Sequence, residues 1–531
     1  MFLRLADAVV CFANSEGGHV VLGVDDKHGG TAALKGVPTE LTVDSIRKGI
    51  FDRTVPPITA FVSGRTVEEF RLLVVSVPPG VMPHSNSAGL ATRRLNKECL
   101  PFPPDQQREL LIGRGHIDWS AEPSSIPPGD LSPVEFGRLR SLLVSAGRDQ
   151  LSELDDVSLL RALRLLHHNG SVTNAGTLIL AAEPILSQAI PTHGYSYQYR
   201  PSPGSEANFH VRGALPLLAA VEFLMHAVNA RQQIHPLNVT GGVQLQLADY
   251  PGRAIRELVV NALLHRSYET NGSVDVEHSP EHLSITSPGP LVVGVTPSNI
   301  LTHPSTPRNR LLTQAIAVLG IAERTGQGVD RAYREMLRVG KEPPSFEDRP
   351  CMVRALLTGG IGNDTFVRFV NDLTPAAAKD INVLLALAAL RKVPRISAVK
   401  LGAIVQRSVG EAQDVLTKMD RDLELIEPSR RTAAKAVPNY RLRSEALASM
   451  SRAVTYHRRE IDDLDQKVID HVREYGSVSN RTLQRMFDLH VFAARDLIAD
   501  LQARNILAKI GEARGGPGVR YGQGPAFPDQ P

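Results

Sequence analysis

The sequence predicts a multidomain α/β (α+β) protein, and three observations carry that reading. Short apolar strands alternate with amphipathic helices over the first two-thirds of the chain. One uniformly apolar helix, at 254–266, bears a single polar line along one face. After residue 364 the pattern becomes three short helices followed by two strands, and then repeats. A length of 531 residues implies roughly three to four domains, placed at 1–121, 122–365, 375–445 and 460–523.

A chain that is 42% hydrophobic and 22% charged has ample material for a core. Its net charge is only +3, so any basic function must be local. Cys11, Cys99 and Cys351 lie far apart, without a CxxC or Cys/His cluster. That spacing argues against zinc and disulfides and fits a reducing cytoplasm. No apolar run is long enough to span a membrane, and 3–13 is interrupted by Arg4 and Asp7. Neither a signal peptide nor an anchor is expected.

A helix is expected at 2–13, then strands at 19–24 and 70–77, the latter bounded by Pro78-Pro79-Gly80. The stretch FANSEGGHVVLGVDD, with Pro83-His84 and with Arg93-Arg94 on a strand, closely resembles the Schlafen-type AlbA domain. The resemblance implies a small α/β module linked to nucleic acids. Some Schlafen-type domains are nucleases that use acidic residues before this block and one after the first strand. Here Asp25-Asp26 follows the strand, but the upstream acidic strand is missing. A lone acidic pair holds metal poorly, so solvated acids are expected rather than a nuclease.

Proline-rich 122–136 reads as a linker, followed by helices at 133–145 and 156–166 and a strand at 177–181. A long helix at 215–230 leads to the apolar helix. His167-His168 read as surface histidines, because adjacent helical residues point about 100° apart.

Within 254–266, Glu257, Asn261 and His265 recur at i, i+4 and i+8. A carboxylate, an amide and an imidazole in apolar surroundings suggest either a polar pocket or a satisfied internal network. A hairpin at 273–278 and 282–286 follows, then Ser287-Pro288-Gly289-Pro290, a proline-punctuated loop ending in Arg308-Asn309-Arg310, a helix at 311–319, and Glu323 to Gly328 feeding a helix at 329–337. A glycine-rich turn at a helix start exposes backbone N–H groups to anions.

This order resembles the GHKL (Bergerat) ATPase fold in the divergent form of RecG-like ATP-binding proteins. Arg256-Glu257, Asn261-Ala262, His265-Arg266 and Tyr268 match that family's block, and Gly289, Arg308-Asn309 and the E-R-x-G-x-G block match its later motifs. The resemblance implies ATP, with Asn261 holding Mg²⁺ against the phosphates and Glu257 polarising water. Gly326 and Gly328 would let backbone approach the phosphates. Two positions depart from the family: Ser287 stands where an Asp reads adenine, which weakens affinity or base choice, and Ser267 stands where relatives often carry Asp.

Helices at 381–390, 397–405 and 408–420, with strands at 424–427 and 439–442, follow the winged helix-turn-helix order. The order recurs at 463–475, 479–487, 491–504 and 506–521. Residues 391–460 hold 15 lysines and arginines against 8 acids, whereas 461–531 hold 9 against 10. Positive charge facing phosphates therefore favours the first module as the DNA binder. Its expected readers are Gln406, Arg407, Gln413 and the wing residues Arg430, Arg431 and Lys435; in the second module they are His490, Arg495 and Arg514. Either module could instead serve a partner surface.

The expected function is a cytoplasmic, homodimeric regulator of transcription on double-stranded DNA, in which nucleotide draws in Arg308 and orders the 291–310 loop. The alternative is an ATP-dependent nucleic-acid-processing enzyme, a weak ATPase or a Schlafen-like nuclease, acting in phage defence. No G-x-x-x-x-GK-[ST] loop occurs, so a helicase is not expected.

Overall fold

Apolar residues at four-residue spacing turn one face of α1 (Phe2–Ala13) inward, burying Leu5, Val9 and Ala13. The protein is described here by a computed structural model covering all residues except 203, 240–243, 323–326, 430–431, 433–436, 451–452, 455–462, 488, 511–518 and 529–531. Helix α1 packs with α2 (Val43–Phe51) over a sheet of β1 (Gly18–Leu22), β2 (Phe61–Val67) and β3 (Phe70–Val77), ordered β1-β3-β2 and antiparallel. Alternate residues Leu73, Val75 and Val77 of β3 supply the core side of that sheet. The hairpin β4 (Thr92–Leu95) and β5 (Glu98–Pro101) lies against α1 and carries Arg93 and Arg94, as expected.

That hairpin corrects the cysteine reading. Cys11 on α1 and Cys99 on β5 form a disulfide, with Cα atoms 5.8 Å apart across 88 residues of sequence. Spacing along the chain says nothing once a hairpin folds back over a helix, so the cysteines give no argument for a reducing compartment. Cys351 is free and exposed.

After α3 (Pro104–Gly113), the expected linker is docked chain. Ser124 N donates to Val172 O at 2.8 Å, Ser132 N donates to Leu180 O at 2.8 Å, and Leu131 is buried. Prolines lack donors, yet the residues between them still pair. Helices α4 (Pro133–Ser145) and α5 (Asp156–Ala162) follow. The strand expected at 177–181 is instead the helix α6 (Asn174–Leu180), capped by Thr173, whose Oγ1 accepts from Gly176 N at 3.2 Å. Every residue from Ala175 to Leu180 is buried, and an apolar run buried all round shows no periodicity to separate helix from strand.

The central sheet is mixed and six-stranded. Its strands are β6 (Tyr195–Tyr199), β7 (Phe209–Gly213), β8 (Val274–His278), β9 (His282–Pro288), β10 (Ser345–Arg349) and β11 (Met352–Thr358), in the order β10-β11-β9-β8-β6-β7. Only β8–β6 is parallel. Tyr197, Val276, Ile285 and Ala355 sit in one register row, all buried. Above that face, α8 (Gly252–His265) packs between α7 (Leu217–Asn229) and α10 (Gly328–Arg338), beside β9. Helix α9 (Arg310–Val318) joins the same core through Leu311, Leu312, Ala315 and Ile316.

The chain divides into two compact units, Met1–Ala388 with Ile396–Tyr440, and Ala389–Arg395 with Arg441–Pro531. Past the central sheet come α11 (Ile381–Lys392), β12 (Ile396–Ser397), α12 (Ala398–Val405), α13 (Val409–Arg421), β13 (Ile426–Pro428) and β14 (Asn439–Leu442). The strands form a sheet ordered β12-β14-β13. Ser408 begins α13 with a capping box: Glu411 N donates to Ser408 Oγ while Glu411 accepts from Ser408 N. The later repeat comprises α14 (Asp463–Tyr475), α15 (Asn480–Phe487), α16 (Val491–Ala503) and the hairpin β15 (Leu507–Ile510) with β16 (Arg520–Gln523). Its small core holds Val468, Val472, Leu483, Ile498 and Leu501.

Candidate functional site

Helix α8 is apolar on most sides because it is covered on most sides; its polar line faces a cavity of about 180 Å³. Glu257, Asn261 and His265 all line that cavity. Ser287 and Gly289 line it at the end of β9, and Gly328 at the start of α10. Leu258, Ile285, Val353 and Phe346 make an apolar wall, and Ile300, His303, Ser305 and Thr306 of the proline-rich loop cover it. Apolar walls with a few convergent polar groups are the usual form of a small-ligand site.

Glu257 is nearly buried and is ion-paired with Arg331, one turn into α10. Arg331 is a site residue that the sequence reading missed. Its i+3 spacing from Gly328 was legible, but nothing in the sequence said that α10 packs across α8. Gly328 starts α10 hard against the polar line of α8, since a Cβ there would lie 2.7 Å from Glu257 Oε2 and 3.6 Å from Asn261 Nδ2. Burial pushes His265 down to about 4, and the nearby Arg308 charge adds to the effect, so the ring is neutral at pH 7. Ser287 Oγ donates to Ala262 O at 2.8 Å. With its proton committed there, the hydroxyl offers the cavity only lone pairs.

Other members of the expected block hold the frame instead of lining the cavity. Arg266 is fully buried and donates to Thr192 O at 2.6 Å and Gly272 O at 2.8 Å. Tyr268 donates to Leu263 O at 2.9 Å and stacks on Trp119 at 4.8 Å. Ser267 accepts from Thr270 Oγ1 at 2.9 Å.

Arg308 and Asn309 lie outside the cavity lining. Arg308 is 3% exposed; it donates to His265 O at 3.1 Å and Pro290 O at 2.9 Å, and it pairs with Glu109 at 2.6 Å. Asn309 Nδ2 donates to Leu264 O at 2.8 Å and Arg266 O at 3.0 Å. The pair thus satisfies carbonyls that the end of α8 would leave unpaired. Arg308 therefore holds the end of the 291–310 loop on the protein's own carbonyls and a carboxylate. Gly326 lies outside the described residues.

In the C-terminal modules, Arg407 pairs with Glu411 at 3.1 Å, and Gln413 Nε2 donates to Tyr440 Oη at 2.9 Å, toward the sheet of its own module. Gln406 is turned to the cavity's covering loop, donating to Pro297 O at 2.9 Å and accepting from Leu301 N at 2.8 Å. His490 stands at the N-terminal boundary of α16 without a side-chain capping bond, and Arg495 lies over the exposed ring of Phe492 at 5.3 Å. Arg430, Arg431, Lys435 and Arg514 lie outside the described residues. Asp25 is occupied by Lys27 N at 3.0 Å and His28 at 2.8 Å. Among the described residues no group of three His, Cys, Asp or Glu side chains could hold a metal, and no helix is long and apolar enough to cross a membrane.

Comparison with known proteins agrees with this layout. Residues 2–103 match the family model described as "Schlafen, AlbA_2", and residues 271–357 match the one described as "Putative ATP-dependent DNA helicase recG C-terminal". The chain therefore pairs a Schlafen AlbA-type segment with a RecG C-terminal-type, ATPase-like segment. The second match begins after α8 and so does not cover Glu257 or Asn261. The crystal structure of the DIP2311 protein from Corynebacterium diphtheriae is similar in fold, with a TM-score of 0.55 and 24% identity over 85% of this chain and 88% of that one. No curated protein matches.

Proposed function

We propose that the chain is a DNA-binding regulator whose central domain senses a nucleotide, ATP with Mg²⁺, in the cavity beneath α8. The observation that carries this reading is the convergence of Glu257, Asn261 and the side-chain-free Gly328 on one cavity with an apolar wall. The amide oxygen of Asn261 would hold Mg²⁺, which would supply positive charge to the phosphates, and the apolar wall would take the base. Glu257 would orient water, but only after yielding its bond to Arg331, which favours binding over fast turnover.

The covering loop is the link to the rest of the chain. Gln406 sits between α12 and α13, the turn of a helix-turn-helix, and holds that loop by its backbone. A ligand that shifts Ile300 and His303 would bias that turn, given differential affinity for two arrangements. We read Ile381 to Leu442 and Asp463 to Gln523 as winged helices that grip duplex DNA as a homodimer in the cytoplasm. Titration calorimetry of the full chain with ATP and Mg²⁺ tests the sensor: saturable heat at sub-millimolar nucleotide is expected, and no heat at millimolar nucleotide overturns it.

A further inference from the structure

We propose that a basic cleft between α5 and α9, remote in sequence from the AlbA-type segment and the winged modules, binds the phosphate backbone of duplex DNA. The cleft has a volume of about 660 Å³ and is lined by Arg161, Arg164, His167, His168 and Arg310, with Asp118 as its acidic member. Asp118 is already committed: its carboxylate accepts from Leu311 N at 2.8 Å and from Ser120 N and Oγ at 3.1 and 2.6 Å. The first turn of α9 is thus capped from within, which leaves the cleft's binding to its side chains. Arg161 and Arg164 are exposed and have no acidic partner among the described residues. Arg310 is also exposed and donates to a backbone carbonyl, Gly115 O.

Arg164 follows α5 with a φ of +60°, the left-handed conformation in which helices commonly end. One further observation points to a ligand. The Nδ1 atom of His167 is buried without a hydrogen-bond partner, beside the His168 ring at 4.0 Å. Unpaired cations spread over two helices suit a repeating anion better than a single phosphate, which is usually enclosed by converging donors.

The inference shares with the proposed function only the premise that the chain meets nucleic acid. The test is fluorescence anisotropy of the full chain with a labelled duplex over a salt series. Arg161→Gln with Arg164→Gln is expected to weaken binding about tenfold at low salt and to lower the salt slope by about 2, whereas Arg161→Lys with Arg164→Lys keeps both near wild type. A separate Arg407→Gln, Arg495→Gln variant probes the winged modules. If the wild type binds and the cleft pair leaves affinity and slope unchanged, the cleft is overturned while the regulator reading stands. If only single strands or inorganic pyrophosphate compete, the duplex assignment falls, and if the wild type binds no DNA, both readings fall.

Discussion

Gln406 holds the backbone on both sides of the loop over the cavity, accepting from Leu301 N at 2.8 Å and donating to Pro297 O at 2.9 Å. The two contacts fix its amide orientation, because one partner can only donate and the other only accept. Gln406 itself has a φ of +57° and ends α12. Removing its side chain leaves a partly buried carbonyl and N–H unpaired, a loss of about 1–3 kcal/mol in the local opening of the loop. Gln406→Ala is therefore expected to speed exchange of the Leu301 amide by roughly ten- to a hundredfold, read by hydrogen–deuterium exchange. Gln406→Glu keeps the acceptor and should protect Leu301 while releasing Pro297.

The same contact shows what the sequence could and could not say. Gln406 beside Arg407 reads as a DNA contact because the helix after it carries Glu411, Asp414 and Asp420, which oppose phosphates, and no local pattern shows that its partners lie over a hundred residues away. Helix α8 and its Glu257, Asn261 and His265 line were legible because i, i+4 periodicity is local. The strands at 274–278 and 282–288 were legible by alternation. Strands β6 and β7 and the Arg331 partner were not, since their burial is decided by the sheet they join. Arg308-Asn309 was legible as a motif, but its task of capping α8 belongs to tertiary structure.

Breaking the Glu257–Arg331 pair from its two ends should give different results. Arg331→Ala removes an ion-pair partner from a carboxylate that is only 5% exposed, and breaking such a buried pair costs roughly 3 kcal/mol. The variant should melt several degrees below wild type by calorimetry. Glu257→Gln keeps the shape and hydrogen bonding, so stability should change by less than about 1 kcal/mol. It should retain nucleotide heat and lose whatever phosphate release the wild type shows. Equal loss of nucleotide binding in both variants would count against a water-orienting role for Glu257.

A methyl group at Gly328 would sit 2.7 Å from Glu257 Oε2. The carboxylate could retreat only by giving up its place beside Arg331. Gly328→Ala should lower nucleotide affinity by about tenfold or more, and the helix preference of alanine, about 1 kcal/mol, should offset only part of the stability lost at the displaced pair. Gly252→Ala, whose Cβ meets nothing within 4 Å, is the matched control and should leave binding unchanged.

Ser287 should choose between bases. Its hydroxyl donates to Ala262 O, so it can only accept from a ligand, which favours the exocyclic amine of adenine over the carbonyl of guanine. Ser287→Ala removes that acceptor and should cut an ATP-over-GTP preference by roughly five- to tenfold in competition titrations. Wild-type binding that prefers GTP would sink this account of the cavity's base end.

Acid should loosen the central domain before neutral pH has been left far behind. Burial lowers His193, His265 and His278 each to about 4 from 6.5. His193 faces Leu215 O and the Arg266 charge, His265 faces Arg308, and His278 faces Tyr197 Oη, Asp249 and Arg231. A histidine whose folded pKa is depressed binds its proton more readily unfolded, so its contribution is complete above pH 6.5 and is lost as pH falls toward 4. Each such ring contributes at most about 3 kcal/mol over that window. The urea midpoint should therefore drop steeply between pH 6.5 and 4.5 and stay nearly flat from 7 to 8.5. His265→Asn should remove about a third of the drop, and a flat profile through pH 5 would mean that these rings are hydrated and take up protons as they do in the unfolded chain.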